Sequence, residues 1–169
     1  MPKLFFYPKS IAMIGATENP KKFGNAVTKN LVENPHLDVD LYPVSRSSSE
    51  IMGIKAYPSV SDIPADIDLA IILVPAKVVP MVVDECIEKS VKRIIIVTAG
   101  FGEISEKGKK IEQRMAEKCN KAGIRLIGPN CVGIQNTEIG MNASFIQTPL
   151  PGNISMVSQS GSFGCAIID

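Results

Sequence analysis

Ser10-Ile11-Ala12-Met13-Ile14 runs straight into Gly15-Ala16-Thr17-Glu18-Asn19-Pro20-Lys21-Lys22-Phe23-Gly24. Strand-forming residues, a glycine at the turn and a helix-like continuation describe a β-strand that ends tightly and starts a helix. Such a turn leaves backbone N–H groups unpaired at the positive end of the helix dipole, where an anion can satisfy them. Lys21 and Lys22 add charge inside it. The same pattern also suits an ordinary glycine-containing turn with solvated lysines.

What the turn lacks narrows its ligand. A dinucleotide fingerprint needs G-x-G-x-x-G and an acidic residue about 20 positions on, which accepts from the ribose hydroxyls. Here the next glycine after Gly15 is Gly24, and the second strand runs out in Tyr42-Pro43-Val44-Ser45-Arg46. A cation and hydroxyls at that corner suit a ribose that carries a phosphate, while the missing fingerprint and the absence of an obvious acid–base pair weaken an NAD(P)-dependent oxidoreductase.

Working outward, Gly24 to Asn34 reads as a helix with Ala26, Val27, Leu31 and Val32 on its apolar side, stopped by Asn34-Pro35. Val39–Val44 reads as a second strand, Ser45–Glu50 as a polar loop and Asp68–Val74 as an unbroken apolar strand of the kind buried on both faces of a parallel sheet. A helix from near Lys77 carries Val78, Val79, Val82, Val83, Cys86 and Ile87 on one stripe, with Pro80 in its first turn. Arg93–Thr98 is a further apolar strand. Ser105 caps a charged helix with Ile111, Met115, Cys119 and Ala122 inward and Gly123 at its end, and Ile124–Ile127 is the fifth strand.

The order β-α-β-β-α-β-α-β predicts an α/β, Rossmann-like doubly wound parallel sheet over residues 1–145. Gly140 to Pro151 reads as a linker, and Asn153–Ser158 as a new strand that leads through Ser158-Gln159-Ser160-Gly161 into an apolar helix. Residues 146–169 are therefore read as a linker and the truncated start of a second α/β domain. The exposed apolar stub Cys165–Ile168 points the same way.

In a doubly wound sheet ligands bind beyond the carboxyl ends of the strands. Every loop at that edge is rich in glycine or proline: Gly15–Gly24, Pro43–Arg46, Val74-Pro75-Ala76, Thr98–Gly102 and Gly128–Gly133. A net charge of +1 spread over mixed signs gives no general field for nucleic acid or an anionic membrane. No apolar run reaches the roughly 18 residues of a membrane span, and the start lacks a signal-peptide core, so a cytoplasmic location is expected. Cys86, Cys119, Cys131 and Cys165 form no C-x-x-C pair, which fits reduced, mostly buried thiols and no metal site.

Taken in order, Ser10–Thr17, Lys22-Phe23-Gly24, Tyr42-Pro43-Val44, Ala56–Val60, Asp68–Ile71 with Val74-Pro75-Ala76, Thr98–Phe101, Gly128–Gly133 and Val157–Gly161 form a set. With these motifs the chain resembles the N-terminal CoA-binding domain of the NDP-forming acyl-CoA synthetases, the superfamily of ADP-forming acetyl-CoA synthetase and the succinyl-CoA synthetase α-subunit. Thr17 in place of Ser and Phe23 in place of a smaller aliphatic residue depart from the commonest pattern while keeping hydroxyl and apolar character.

The resemblance implies acid + CoA + ATP ⇌ acyl-CoA + ADP + phosphate, through an acyl phosphate and a phosphohistidine. It implies that Gly15, Ala16, Thr17, Asn19, Lys21, Lys22, Phe23 and Gly24 hold CoA phosphates and that Pro43, Val44, Ser45 and Arg46 flank the nucleotide. Val74 and Pro75 would pack on the cofactor, Thr98, Ala99 and Gly100 approach the pantetheine, and Asn130 and Cys131 lie toward the thiol. Ser158, Ser160 and Gly161 would cradle the phosphate of a phosphohistidine. It further implies a small carboxylic acid as substrate, an ATP-grasp partner subunit or domain, an oligomeric full-length enzyme and a flavodoxin-like second domain.

No catalytic residue is assigned within the chain. Its one histidine, His36, falls in a polar turn and suits a solvated loop better than a phosphoryl carrier. Cys131 reads as a small buried thiol, with a reactive thiol as the alternative. Two functions stay in competition: the CoA-binding portion of an acyl-CoA synthetase, inactive by itself, and a stand-alone CoA- or nucleotide-binding sensor or regulatory module.

Overall fold

The computed structural model describes residues 3–168. After a helical turn, α1 (Lys3–Phe6), the chain forms β1 (Ser10–Ile14), α2 (Phe23–Val32) and β2 (Asp40–Val44). A short hairpin of β3 (Glu50–Ile51) and β4 (Ile54–Lys55) and a single 3-10 turn (Val60–Asp62) lead to β5 (Leu69–Ile72). Then come α3 (Val79–Glu88), β6 (Arg93–Ile96), α4 (Glu106–Lys121), β7 (Arg125–Ile127), the hairpin β8 (Gly133–Asn136) and β9 (Met141–Ser144), and α5 (Gly161–Ile168).

Five strands pair in parallel in the order β2-β1-β5-β6-β7. The chain leaves β1 toward β2 and then crosses back to β5, so the direction of winding reverses between β1 and β5. Side chains alternate through the sheet as a period of two demands. Ala12, Ile14, Ala70, Ile72, Ile94 and Ile96 pack with Val79, Val82, Val83 and Cys86 of α3 and Met115 and Cys119 of α4. Ile11, Met13, Leu69, Ile71 and Ile95 pack on the opposite face with Val27 and Leu31 of α2, Phe5 of α1 and Met141 and Ala143 of β9. Both faces are covered, which is why these strands read as continuous apolar runs. The expected doubly wound α/β sheet is the one observed.

Capping follows the residue chemistry. The Ser105 hydroxyl accepts the N–H of Gly108 at 3.1 Å and starts α4. Beside the outer edge of β2, the Tyr57 N–H donates to the Pro43 carbonyl and the Ser45 N–H to the Tyr57 carbonyl, each at 2.9 Å. This pairing brings the Tyr42 and Tyr57 rings to 6.1 Å.

Three expectations need correction. The stretch from Gly140 is not all linker, because Met141–Ser144 pairs with β8 and is fully buried against α2. Its pattern misled because Asn142 and Ser144 are polar yet buried, each hydrogen-bonded within the hairpin. Asn153–Ser158 takes no strand conformation: among the described residues no strand offers it a ladder, and backbone groups left unpaired stay in solvent. Ala122, expected on the inner face of α4, is exposed and forms its C-cap, with Gly123 following.

Candidate functional site

The five strands end together at Ile14, Val44, Ile72, Ile96 and Ile127, and hydrogen bonds run from loop to loop across that edge. At its centre is the turn after β1. Gly15 has φ +98°, and a β-carbon there would fall on the Leu73 carbonyl. A β-carbon on Gly24 would come within 2.5 Å of the Gly15 carbonyl. The two glycines therefore touch, setting the first turn of α2 directly on the end of β1. Gly15 and Ala16 both give their N–H to the Val44 carbonyl, at 3.0 and 3.2 Å.

Between the glycines the turn is held by its own side chains. The Thr17 hydroxyl accepts from Asn19 N–H at 3.2 Å, Asn19 Oδ1 from Lys21 N–H at 3.0 Å, and the Asn25 amide donates to the Thr17 carbonyl at 3.1 Å. Lys22 stands at the N-cap of α2 and its side chain makes no capping hydrogen bond, while the Asn25 N–H turns back to the Lys22 carbonyl at 2.9 Å. Lys21, Lys22 and Phe23 are exposed there, and the Phe23 ring lies 5.0 Å from that of Phe145.

The remaining loops are tied to their neighbours. Leu73 N–H donates to the Ile14 carbonyl at 2.8 Å, the Thr98 hydroxyl to the Val74 carbonyl at 2.8 Å, and Asn130 N–H to the Thr98 carbonyl at 3.0 Å. Pro75 and Ala99 are exposed beside half-buried Val74, Thr98 and Gly100, and Arg46 is exposed next to half-buried Ser45. Pro43 and Val44 are buried in β2 and line the edge through their backbone. The structure thus brings the predicted residues from all five loops to one edge.

Cys131 is half-buried and its thiol donates to the Ile96 carbonyl at 3.3 Å. Burial pushes this thiol up to about 11, which leaves almost no thiolate at neutral pH and favours the structural reading of the residue. Gly161 abuts the Val132 side chain, so the start of α5 lies beside the loop that carries Asn130 and Cys131. There Ser160 Oγ accepts from Phe163 N–H at 3.3 Å, and the Ser158 hydroxyl from Ser160 N–H at 3.0 Å. His36 is at the opposite edge of the sheet, exposed, beside a hollow of about 320 Å³ that Tyr7, Asp38 and Glu138 also line. Another hollow, of about 220 Å³, lies between Ile146, Gln147, Cys165 and Ile168. None of the predicted residues lines either one.

Sequence reasoning missed the carboxylates that brace these loops. Glu18 accepts from Met52 N–H at 2.6 Å and so joins the first turn to the β3–β4 hairpin. Glu103 accepts from Gly100 and Phe101, and Glu112 from Gly102 N–H at 3.2 Å. The one available signal was an acidic residue placed inside or just after a glycine-rich loop. Among the described residues, no helix is long and apolar enough to cross a membrane.

Residues 9–137 match the CoA binding domain family. The chain is 49% identical over 164 residues to the alpha subunit of ADP-forming acetate–CoA ligase II of Pyrococcus furiosus, covering 97% of this chain and 35% of that subunit. A crystal structure from Pyrococcus horikoshii superposes with a TM-score of 0.95 at 49% identity, covering 99% of this chain and 38% of that one. An acetyl-coenzyme A synthetase of Candidatus Korarchaeum cryptofilum, solved with phosphate and ADP, gives 0.94 at 34% identity, covering 99% and 36%. The chain therefore spans about a third of the length of these relatives.

Proposed function

The chain belongs to the CoA binding domain family, and from that premise we propose that it is the CoA-binding portion of an ADP-forming acyl-CoA synthetase that joins a small carboxylic acid to CoA. The observation that carries this reading is the contact between Gly15 and Gly24, which opens the uncapped N-terminus of α2 at the point where the winding of the sheet reverses. Backbone N–H groups there, with Lys21 or Lys22, hold the pyrophosphate. Ser45 and Arg46 flank the phosphorylated ribose. The pantetheine runs along Val74, Pro75 and the Thr98–Gly100 loop, and its thiol ends near Asn130 and Cys131.

In this reading the chain supplies binding and orientation. The phosphohistidine and the ATP-grasp unit belong to other parts of the enzyme, residues 146–169 open its second domain, and Ser158, Ser160 and Gly161 face the phosphorylated histidine. Similarity to acetate–CoA ligases favours acetate or another small acid as the acyl donor.

Thermal unfolding with CoA, dephospho-CoA, NAD and NADP tests the proposal. Ligand at about 100 Kd stabilises by about 2.7 kcal/mol, a rise of roughly 5–10 °C for a domain of this size. The expected result is a rise with CoA, a smaller one with dephospho-CoA and none with NAD. A shift with NAD or NADP and none with CoA would overturn it.

A further inference from the structure

The loop after β6 is anchored at both ends. Upstream, Thr98 bonds to Val74 on one side and to Asn130 on the other. Downstream, the Phe101 ring is buried in the core and its carbonyl accepts the N–H groups of Ile104 at 3.1 Å and Ser105 at 3.2 Å. Between these anchors Ala99 and Gly100 reach the edge with no side chain large enough to hold them.

Glu103 does the holding. Its carboxylate folds back over the loop, one oxygen accepting the Gly100 N–H and the other the Phe101 N–H at 3.1 Å. The Gly100 N–H is the main cause that draws this carboxyl below the ordinary glutamate range, with the N–H groups of Glu103 itself and Phe101 adding to it. In a trans peptide the carbonyl points away from the N–H. Fixing the N–H groups of Gly100 and Phe101 on Glu103 therefore turns the carbonyls of Ala99 and Gly100 away from that carboxylate. No backbone N–H among the described residues outside regular elements donates to either carbonyl.

We propose that Glu103 is a positioning residue for the pantetheine arm, orienting the Ala99 and Gly100 carbonyls to accept its amide N–H groups. The inference rests on the CoA reading of this edge and deepens it, since it assigns the arm's polar recognition to a residue that touches no ligand. It separates the two halves of the cofactor: the nucleotide half is held by the turn after β1, and the arm by a loop that Glu103 shapes.

Calorimetric titration of the wild-type chain, Glu103→Gln and Glu103→Ala with CoA and with adenosine 3′,5′-bisphosphate, which lacks the arm, tests it. Glu103→Ala is expected to weaken CoA roughly tenfold and Glu103→Gln by less, because the amide oxygen still accepts one N–H. Both variants are expected to bind the bisphosphate as the wild type does. Equal loss for the two ligands, or unchanged CoA affinity in Glu103→Ala, would overturn the assignment. Wild-type chain that binds neither ligand would overturn the CoA reading itself, an outcome distinct from the other two. Faster exchange of the Gly100 and Phe101 amides in Glu103→Ala, with only a small fall in unfolding temperature, is expected alongside.

Discussion

A side chain at Gly15 meets two obstacles: a positive φ that L-residues adopt with strain, and the Leu73 carbonyl where its β-carbon would sit. Gly15→Val is therefore expected to abolish CoA binding and to destabilise the fold by about 2–4 kcal/mol, read from the urea unfolding midpoint. Wild-type affinity in this variant would mean that the phosphates do not approach the turn. Arg46 is exposed just beyond the end of β2. Arg46→Ala should weaken CoA more than dephospho-CoA, by roughly tenfold for the loss of one charge-assisted contact. Equal loss for both would remove Arg46 from the ribose phosphate.

At the scale of elements, the β8–β9 hairpin depends on a buried polar knot. Asn142 donates to the Ile146 carbonyl at 3.0 Å and to Thr148 Oγ1 at 2.8 Å, and its oxygen accepts from Ser144 N–H at 3.1 Å and from Gln135 at 3.2 Å. Asn142→Ala leaves several of these groups buried without partners and is expected to cost about 2–3 kcal/mol, with amide exchange rising first in the hairpin. An unchanged midpoint would show that water replaces the side chain. This knot also explains what the sequence concealed. The strands of the main sheet were legible because unbroken apolar runs such as Leu69–Val74 read as strands covered on both faces, and the glycine-rich edge was legible because loops there carry few alternatives. The hairpin was not, because Asn142 and Ser144 carry the composition of a loop and are satisfied only through contacts made in three dimensions. The braces Glu18, Glu103 and Glu112 were hidden for a related reason: an acidic residue facing a backbone N–H looks the same in sequence as one facing solvent.

Across the whole molecule, buried thiols and the Glu103 carboxylate set opposite limits to stability in pH. Burial raises Cys86, Cys119 and Cys131, so each stays neutral in the fold after it would ionise in the unfolded chain. The stability they contribute is fully present below the unfolded value and is lost as pH rises, for Cys131 between the ordinary 9.0 and about 11. Glu103 is lowered, so its contribution is present above the ordinary glutamate value and is lost as pH falls through its folded value. The urea midpoint is expected to be flat around neutrality and to fall in alkali. A midpoint that rises from about pH 9 to about pH 11 would contradict the burial of these thiols.

The tyrosine pair beside β2 gives the molecule an optical property. The chain has no tryptophan and three tyrosines, two of which, Tyr42 and Tyr57, sit together next to the strand end that delivers Pro43 to Arg46. Its intrinsic ultraviolet emission is therefore pure tyrosine, weighted toward one corner of the surface, and an adenine arriving there is expected to quench it. On the proposed reading of this edge, arrival of the CoA nucleotide is expected to be readable as a change in fluorescence, with no dye attached.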